Sequence, residues 1–452
     1  MAYDPSDPNP NPSDPNPNPS DPNPSLSDPN ASRTTHLLTL SASTPDALTT
    51  TARDTAAHLA TLGDASPAPL CSRAAGGPHS GHRLGVVGRT AGELAERIGA
   101  HLAGDPVREV FVGHADPARR PPVAFLFSGQ GAQYAGMAQG LHRTEPVFRD
   151  AFDRCAEAAR PFAAVPLQEL LDPGAGPSVV YRLAHAALGT FCVNIALAEL
   201  WRSWGVEPAA VLGFSSGEYA AACWAGILAP EDAVRLLGTQ VTLAERVTDG
   251  AMAVVALGEE DALQLLAEAE PSVGLAAVIS PGEVSLSGRA TTLARIVDRL
   301  TASGVRTSSL PVSSGLHSPL QEPALAELRA VAATIPTRPP RIPFVSTVTG
   351  TGVTGPLAPE HWCRQLRGPV RFLDAVRALD ELGVRAHLEV GPGRALVGLG
   401  ARCLPGGERM WLASLGRSTD GTAPMLMALG RLHTAGVPVS WNRVYPGSRS
   451  AV

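Results

Sequence analysis

Lysine is missing altogether: all 36 basic residues of this 452-residue chain are arginine. A chain without a lysine ammonium can neither form a Schiff base with a carbonyl substrate nor set a P-loop lysine on nucleotide phosphates. Cysteine is sparse, six residues at 71, 155, 192, 223, 363 and 403 with no C-x-x-C pair. Neither a disulfide framework nor a zinc centre is indicated, no metal is expected, and reduced thiols in a cytoplasmic protein are the plain reading. An excess of positive charge is lacking as well. Forty-two acidic residues give a net charge of −6 and a pI near 6.1, so nucleic acid is not an expected partner. The longest apolar run, Ala186 to Trp201, is short for a membrane span and is broken by Asn194 and Glu199. The first residues carry no basic region and no apolar stretch of the kind that marks a secretory signal. No membrane partner is therefore expected.

What is present is a chain of 46.8 kDa that is 44% hydrophobic, enough to bury a substantial core in more than one unit. Residues 1–30 repeat Pro, Ser, Asp and Asn, with ten prolines and one leucine, and residues 1–35 are expected to form a disordered tail. A first module, 36–117, reads as strands at Leu37–Leu40 and Arg83–Val87 with helices at Thr44–Leu62 and Ala91–Leu102. After a proline- and arginine-rich link, the apolar run Val123–Phe127 begins a larger α/β domain, 118–250. Between 251 and 312 the order is strand, helix, strand, strand, helix, with Thr307–Val312 as a fourth strand, which indicates a small ferredoxin-like insert. Residues 313–403 return to the large domain through Phe344–Val348 and His387–Val390. Residues 404–452 read as a terminal linker segment with one helix, Ala423–Thr434.

The sharpest chemical signal is Gly213-Phe214-Ser215-Ser216-Gly217, a G-x-S-x-G element between an apolar strand and a helix. A serine on such a turn projects its hydroxyl clear of the sheet, and the following helix aims its N-terminal N–H groups at the same place. A Gly/Ser-rich turn without chemistry would look alike locally; the strand–turn–helix context favours a nucleophile. The serine needs a base, and twelve histidines compete for the role. His317, in the polar loop Ser313–Pro319 after the strand-like Leu310–Val312, is one candidate, and position alone does not separate it from a solvated loop histidine.

Phe127-Ser128-Gly129-Gln130-Gly131-Ala132-Gln133 with Gly136-Met137, then the serine element, the late His317, His361-Trp362, Pro369–Phe372 and Glu389–Gly393 together resemble the acyltransferases of polyketide and fatty-acid synthesis. The resemblance runs from about residue 36 to 445. It implies an α/β-hydrolase-like main domain with the ferredoxin-like subdomain inserted, preceded by the small α/β linker domain found before such acyltransferases. With no ketosynthase ahead of it, the chain resembles a discrete, free-standing member. By the same resemblance Ser215 would carry the acyl group as an ester, His317 would be the general base, and the backbone N–H groups of Gln130 and Ser216 would form the oxyanion hole. The main-chain carbonyl at Gln365 would orient the histidine. No cofactor is implied: acyl-CoA or acyl-phosphopantetheine would be substrate, and an acyl carrier protein the partner.

Several residues depart from the family pattern. Malonyl- and methylmalonyl-transferring members carry an arginine twenty-five residues after the serine, where Gln240 stands here. Glutamine cannot offer a charged fork to a substrate carboxylate. Arg235, nearby, matches an ordinary helix arginine of the family. The usual histidine before the nucleophile is Phe214, a common asparagine is Ile279, and the specificity box ending at the base reads Ser314-Gly315-Leu316-His317. His185-Ala186 stands in place of the usual Gln-Pro. Drift or core packing explains each singly; together they point to a less polar acyl site formed by Gln240, Phe214, Ile279, Gly315 and Leu316. The expected activity is transfer of a non-carboxylated acyl group to a carrier-protein thiol or to a hydroxyl of a natural-product intermediate. An editing hydrolase that strips acyl groups from carrier proteins is the alternative that Gln240 leaves open. A silent docking module fits the intact Ser215, His317 and Gln130 poorly. A generic α/β-hydrolase esterase would need an acid between serine and histidine that is not evident.

Overall fold

The computed structural model describes residues 33–310, 314–417 and 421–446, so the repeat in residues 1–30 lies outside the described residues. The first module is a three-stranded antiparallel sheet in the order β1 (His36–Ala42), β2 (His82–Gly88), β3 (Val110–His114). Two of its helices are α1 (Pro45–Leu62) and α2 (Ala91–Leu102). Each starts at a threonine whose hydroxyl accepts a backbone N–H three residues on, Thr44 from Ala47 and Thr90 from Glu93. Leu94 and Ile98 of α2 and Leu48, Ala52 and Leu59 of α1 are buried, the spacing that puts one helical stripe on a sheet.

The main domain opens with β4 (Val123–Phe127), whose five residues are all buried. The helix α3 (Leu183–Ser203) is the one described helix long and apolar enough to cross a membrane, and it is almost wholly enclosed by the rest of the chain. It leads to β5 (Ala210–Gly213), then α4 (Gly217–Trp224) and α5 (Pro230–Ala244). Next comes the insert: β6 (Gly250–Val255), α6 (Glu259–Ala267), β7 (Val273–Ser280), β8 (Glu283–Arg289), α7 (Ala290–Ala302) and β9 (Thr307–Leu310). The chain returns through β10 (Phe344–Ser346) and β11 (Thr351–Val353) to α8 (Pro359–Arg367), β12 (Val370–Arg371) and α9 (Phe372–Glu381). It ends with β13 (Ala386–Val390), α10 (Ala395–Cys403), β14 (Met410–Ala413) and α11 (Thr422–Thr434).

The main sheet runs β11-β10-β5-β4-β13-β14, parallel throughout except for the β10–β11 pair at one edge. The small sheet runs β12-β7-β8-β6-β9, and its four insert strands have the ferredoxin-like order. The fourth strand ends at Leu310, and Pro311 and Val312 lie outside the described residues. A fifth strand comes from outside the insert, because β12 pairs in parallel with β7.

The described residues of the tail pack on both preceding units. Met410–Ala413 closes an edge of the main sheet against β13, and Trp201 of the core helix α3 donates to Ser414 at 2.8 Å. Helix α11 lies instead on the first module, where Arg83 of β2 donates to the His433 carbonyl at 2.9 Å. The Tyr445 hydroxyl both accepts from the Leu37 N–H at 2.8 Å and donates to the Leu37 carbonyl at 3.0 Å. The described residues between 410 and 446 thus bind the first module and the main domain together.

Candidate active site

Strands β4, β5 and β13 end side by side, and the loops leaving their C-terminal ends converge, the usual site position in a parallel α/β sheet. Ser215 sits between β5 and α4 with φ of 51°, in the left-handed region that a non-glycine residue enters at a cost. Glycine is obligatory on either side of it. A Cβ at Gly213 would lie 2.3 Å from the Glu218 nitrogen, and one at Gly217 would lie 2.2 Å from the Phe127 carbonyl oxygen. The turn is therefore wedged between its own helix and the end of β4, which fixes where the hydroxyl points.

His317 comes from a chain segment 102 residues away, and its Nε2 lies 2.8 Å from Ser215 Oγ. It too has a positive φ, 58°. Its backbone N–H donates to the Leu366 carbonyl at 3.0 Å, and Nδ1 donates to the Gly368 carbonyl at 3.0 Å, so the helix α8 holds both ends of the residue. A carbonyl on Nδ1 leaves the Nε2 lone pair facing the serine, the tautomer a general base needs. Burial pushes the imidazole pKa down to about 4, against the opposing pull of the Gly368 and Gln365 carbonyls and of the Glu218 charge. The ring is thus neutral at pH 7. The preceding loop is braced from within: Gln321 Nε2 donates to the Ser314 carbonyl at 2.5 Å, and the Ser318 hydroxyl to the Gly315 carbonyl at 2.6 Å.

The β4 loop faces the serine turn. Its Ser128 hydroxyl donates to Glu389 Oε1 at 2.8 Å, and Asn194 of α3 donates to the Ser128 carbonyl at 2.8 Å. Gly131 N–H donates to the Gln133 side chain at 2.7 Å. Glu389 is itself buried, and burial raises its pKa against the opposing hydrogen bonds from Ser128 and the first N–H groups of α10.

The residues singled out by sequence divide into two groups. Ser215, His317, Gln130 and Ser216 come together, with one unexpected bond: the Gln130 N–H donates to the Ser216 hydroxyl at 3.0 Å. One of the two expected oxyanion donors is therefore already engaged by the side chain of the other residue. The nearest carbonyl to Nδ1 is that of Gly368 rather than Gln365, because the chain leaves α8 extended at Gly368 (φ −86°, ψ 169°) and turns that oxygen toward the imidazole. Gln240 is buried on α5, and its Oε1 accepts from the Tyr219 hydroxyl at 2.5 Å. Leu316 is half-buried and packs on the main core, beside Gly315 at φ +54°.

Phe214 and Ile279 are placed differently. Both belong to the apolar cluster that joins the main sheet to the insert; Phe214 meets Phe372 edge-on at 5.3 Å, and Ile279 is packed with Leu373, Leu396 and Cys403. Ile279 is buried there, and Phe214, directly before Ser215, is partly buried. His185 is a brace, its Nδ1 donating to the Val179 carbonyl and its Nε2 accepting from the Ala164 N–H, each at 3.1 Å. Arg235 donates to the Thr334 hydroxyl on the surface at 3.1 Å, as an ordinary helix arginine does.

The site also contains a cluster that sequence reading left unassigned. Glu218, fully buried in the first turn of α4, accepts from Thr347 N–H at 2.9 Å, the Thr347 hydroxyl at 2.7 Å, the Ser346 hydroxyl, and His361 Nε2 at 2.9 Å. A buried carboxylate so fully surrounded by donors escapes the cost of an unpaired charge. The signal available in the sequence was the acidic residue directly after Gly217.

Comparison with known proteins gives the family of the chain. The acyl transferase domain profile matches residues 124–439. A phenolphthiocerol synthesis polyketide synthase type I from Mycobacterium marinum is 34% identical over 413 residues, 90% of this chain but 19% of that protein. Erythronolide synthase from Saccharopolyspora erythraea is 34% identical over 373 residues, 81% of this chain and 10% of its own length. The chain thus spans about a fifth or less of these much longer relatives. Among solved structures, the acyltransferase domain from module 8 of the salinomycin polyketide synthase superposes with a TM-score of 0.81 at 31% identity, covering 91% of this chain and 98% of that one. The malonyl-CoA:acyl carrier protein transacylase of Xanthomonas oryzae gives 0.61 at 29% identity, covering 66% and 95%. On the sequence match, the mixed α/β fold and the shared architecture, the chain belongs to the acyl transferase domain family.

Proposed function

We propose that this chain takes an acyl group that ends without a carboxylate from CoA or a carrier protein and passes it, through an ester on Ser215, to a carrier-protein phosphopantetheine thiol or a hydroxyl of a natural-product intermediate. The observation that carries the chemistry is the 2.8 Å approach of Ser215 Oγ to a buried, neutral His317 whose other nitrogen is spent on the Gly368 carbonyl. His317 Nε2 takes the serine proton as Oγ attacks the thioester carbonyl. The C–S bond breaks, and the imidazolium returns that proton to the departing thiolate. In the second half His317 takes the proton of the acceptor thiol or hydroxyl, the acceptor attacks the ester, and Ser215 leaves with the proton. The N–H groups of Ser216 and Gln130 would hold the oxyanion, each donor contributing ~3–4 kcal/mol in comparable sites.

The substrate reading rests on Gln240. With Oε1 occupied by the Tyr219 hydroxyl, its amide has only neutral N–H donors left for a ligand. Neutral donors do not repay the desolvation of a carboxylate as a bidentate guanidinium does. One neighbouring structure, the acyl transferase domain of SpnD, is a complex with 2-(pent-4-yn-1-yl)malonyl; another is a loading acyltransferase of the avermectin synthase, 32% identical with a TM-score of 0.63. Gln240 favours a donor unlike the malonyl group held in the first of these.

The test is incubation with acetyl-, isobutyryl-, hexanoyl- and malonyl-CoA, read as intact mass with Ser215→Ala as control. Ester adducts from the three monocarboxylic donors and little from malonyl-CoA are expected. Preferred malonyl loading overturns the substrate reading, and adducts that decay to free acid at the same rate with or without a carrier protein indicate an acyl hydrolase.

A further inference from the structure

The first turn of α4 grips the first turn of α8 through two neighbouring pairs. Glu218 receives His361 Nε2 at 2.9 Å, and Tyr219 stacks on Trp362 with ring centres 4.5 Å apart and planes 21° apart. The opposite end of α8 is where His317 hangs, by its backbone on Leu366 and by Nδ1 on Gly368. The two attachments are four to seven residues apart on α8, about 6–10 Å along its axis. Ser215 is three residues before Glu218, in the tight turn that leads directly into α4.

We infer that Glu218 and His361 are positioning residues that set the register of α8, and with it the imidazole of His317, against Ser215; this rests on the proposed roles of Ser215 and His317 as nucleophile and base. His317 has a left-handed backbone and belongs to no helix or strand, so its hydrogen-bonded attachments to other chain segments are Ser215 and the end of α8. A helix displaced at one end carries its other end with it. An error of about 1 Å at the reacting atoms costs on the order of a hundredfold in rate. Stability alone gives a weak reason for the arrangement, since a buried carboxylate–histidine pair roughly breaks even against an apolar replacement. The four donors around Glu218, from the end of β10 and from α8, fix its carboxylate in one orientation, as a reference point for alignment should be fixed. The Glu218 charge also supports the proton affinity of His317 against burial.

The test uses the full chain and a fluorophosphonate probe, which needs an activated serine but no acyl donor: the Ser215 O–P bond forms, fluoride leaves, and the serine proton passes to His317. His361→Ala should label about a hundredfold more slowly. The acid limb of its labelling rate should move from near pH 4 up toward the ordinary imidazole value as the displaced ring gains water and escapes the burial that holds its pKa down. His361→Gln, which can still donate to Glu218, should recover most of the rate and restore the limb. A folded His361→Ala protein that labels at the parent rate with an unmoved limb overturns the inference. So does an equal loss in both variants with an unmoved limb, which is what a merely structural role would give. If the parent protein labels at Ser215 in a His361-dependent way but forms no ester with any acyl-CoA, the substrate reading fails while the positioning role stands.

Discussion

The Tyr219 hydroxyl donates to Gln240 Oε1 at 2.5 Å, and Tyr219 is itself held face to face with Trp362. The amide at position 240 is thereby fixed, on the helix α5 that packs against α4 and against the segment following His317. Gln240→Arg replaces it with a planar cation able to grip a carboxylate. Malonyl-CoA loading is expected to rise at least tenfold, and loading from hexanoyl-CoA to fall. Intact mass measured on both donors checks this, with circular dichroism to establish that the larger side chain is tolerated. Unchanged malonyl loading in a folded variant would mean that position 240 does not meet the acyl terminus.

His317 is neutral down to about pH 4 because burial disfavours its charged form more than the carbonyls and Glu218 favour it. Serine acylation should therefore be flat from roughly pH 8 to 5 and fall only as the pH approaches 4, instead of falling below the ordinary imidazole value near 6.5. Rapid-quench acylation across this range tests it. Gln365→Ala keeps its main-chain carbonyl and leaves Gly368 in place, so its acylation rate should stay within about threefold, consistent with orientation by backbone oxygens.

The serine turn was legible because three local signals coincide there: an apolar strand, glycines at fixed offsets and a helix start. The ferredoxin-like insert was legible because its strands alternate with helices of clear period. The base was not legible from its own surroundings, since Ser314–Ser318 has no periodic structure and His317 acquires its partner from 102 residues away; the family resemblance singled it out. Short strands on sheet edges escaped notice. Val110–His114 and Met410–Ala413 are only partly buried and four or five residues long, so neither shows a run or an alternation. The packing of the tail was not legible for the same reason, because its anchoring through Ser414, His433 and Tyr445 is entirely long-range. The packing of Phe214 against Phe372, and of Ile279 within the same apolar cluster, was not legible either, because it is a matter of tertiary contact.

The bond from Gln130 N–H to the Ser216 hydroxyl must be given up before that N–H can serve an oxyanion. A neutral hydrogen bond of this kind is worth about 1 kcal/mol net, or about fivefold in rate. Ser216→Ala removes the competing acceptor and keeps the Ser216 backbone N–H, so acylation should become a few times faster with little change in the concentration dependence on acyl-CoA. A slower variant would mean that the Ser216 hydroxyl itself assists the reaction, for example by turning to donate to the oxyanion.

Stability should fall with acid earlier than the carboxylates alone would dictate. His387, buried in β13 and stacked on Trp411 at 4.0 Å, is held down to about pKa 4, chiefly by desolvation and further by the charges of Arg409 and Arg385. Burial likewise brings His317 to about 4 and His433 to about 2. In the unfolded chain each titrates near 6.5, so between pH 6.5 and 4 the unfolded state takes up protons that the folded state refuses. The stabilisation is fully present above about 6.5 and drains away as the pH falls toward 4. For His387 alone it is on the order of 3 kcal/mol across that window. Buried Glu145 and Glu389, whose pKa values are raised, act in the opposite sense, so the total slope is a difference. A variant isolates the histidine. His387→Phe keeps the ring against Trp411 without a titratable group, and urea unfolding between pH 7.5 and 4.5 should show a shallower loss than in the parent. Equal slopes in the two proteins would mean that His387 takes up its proton over the same pH range in the folded chain as in the unfolded one.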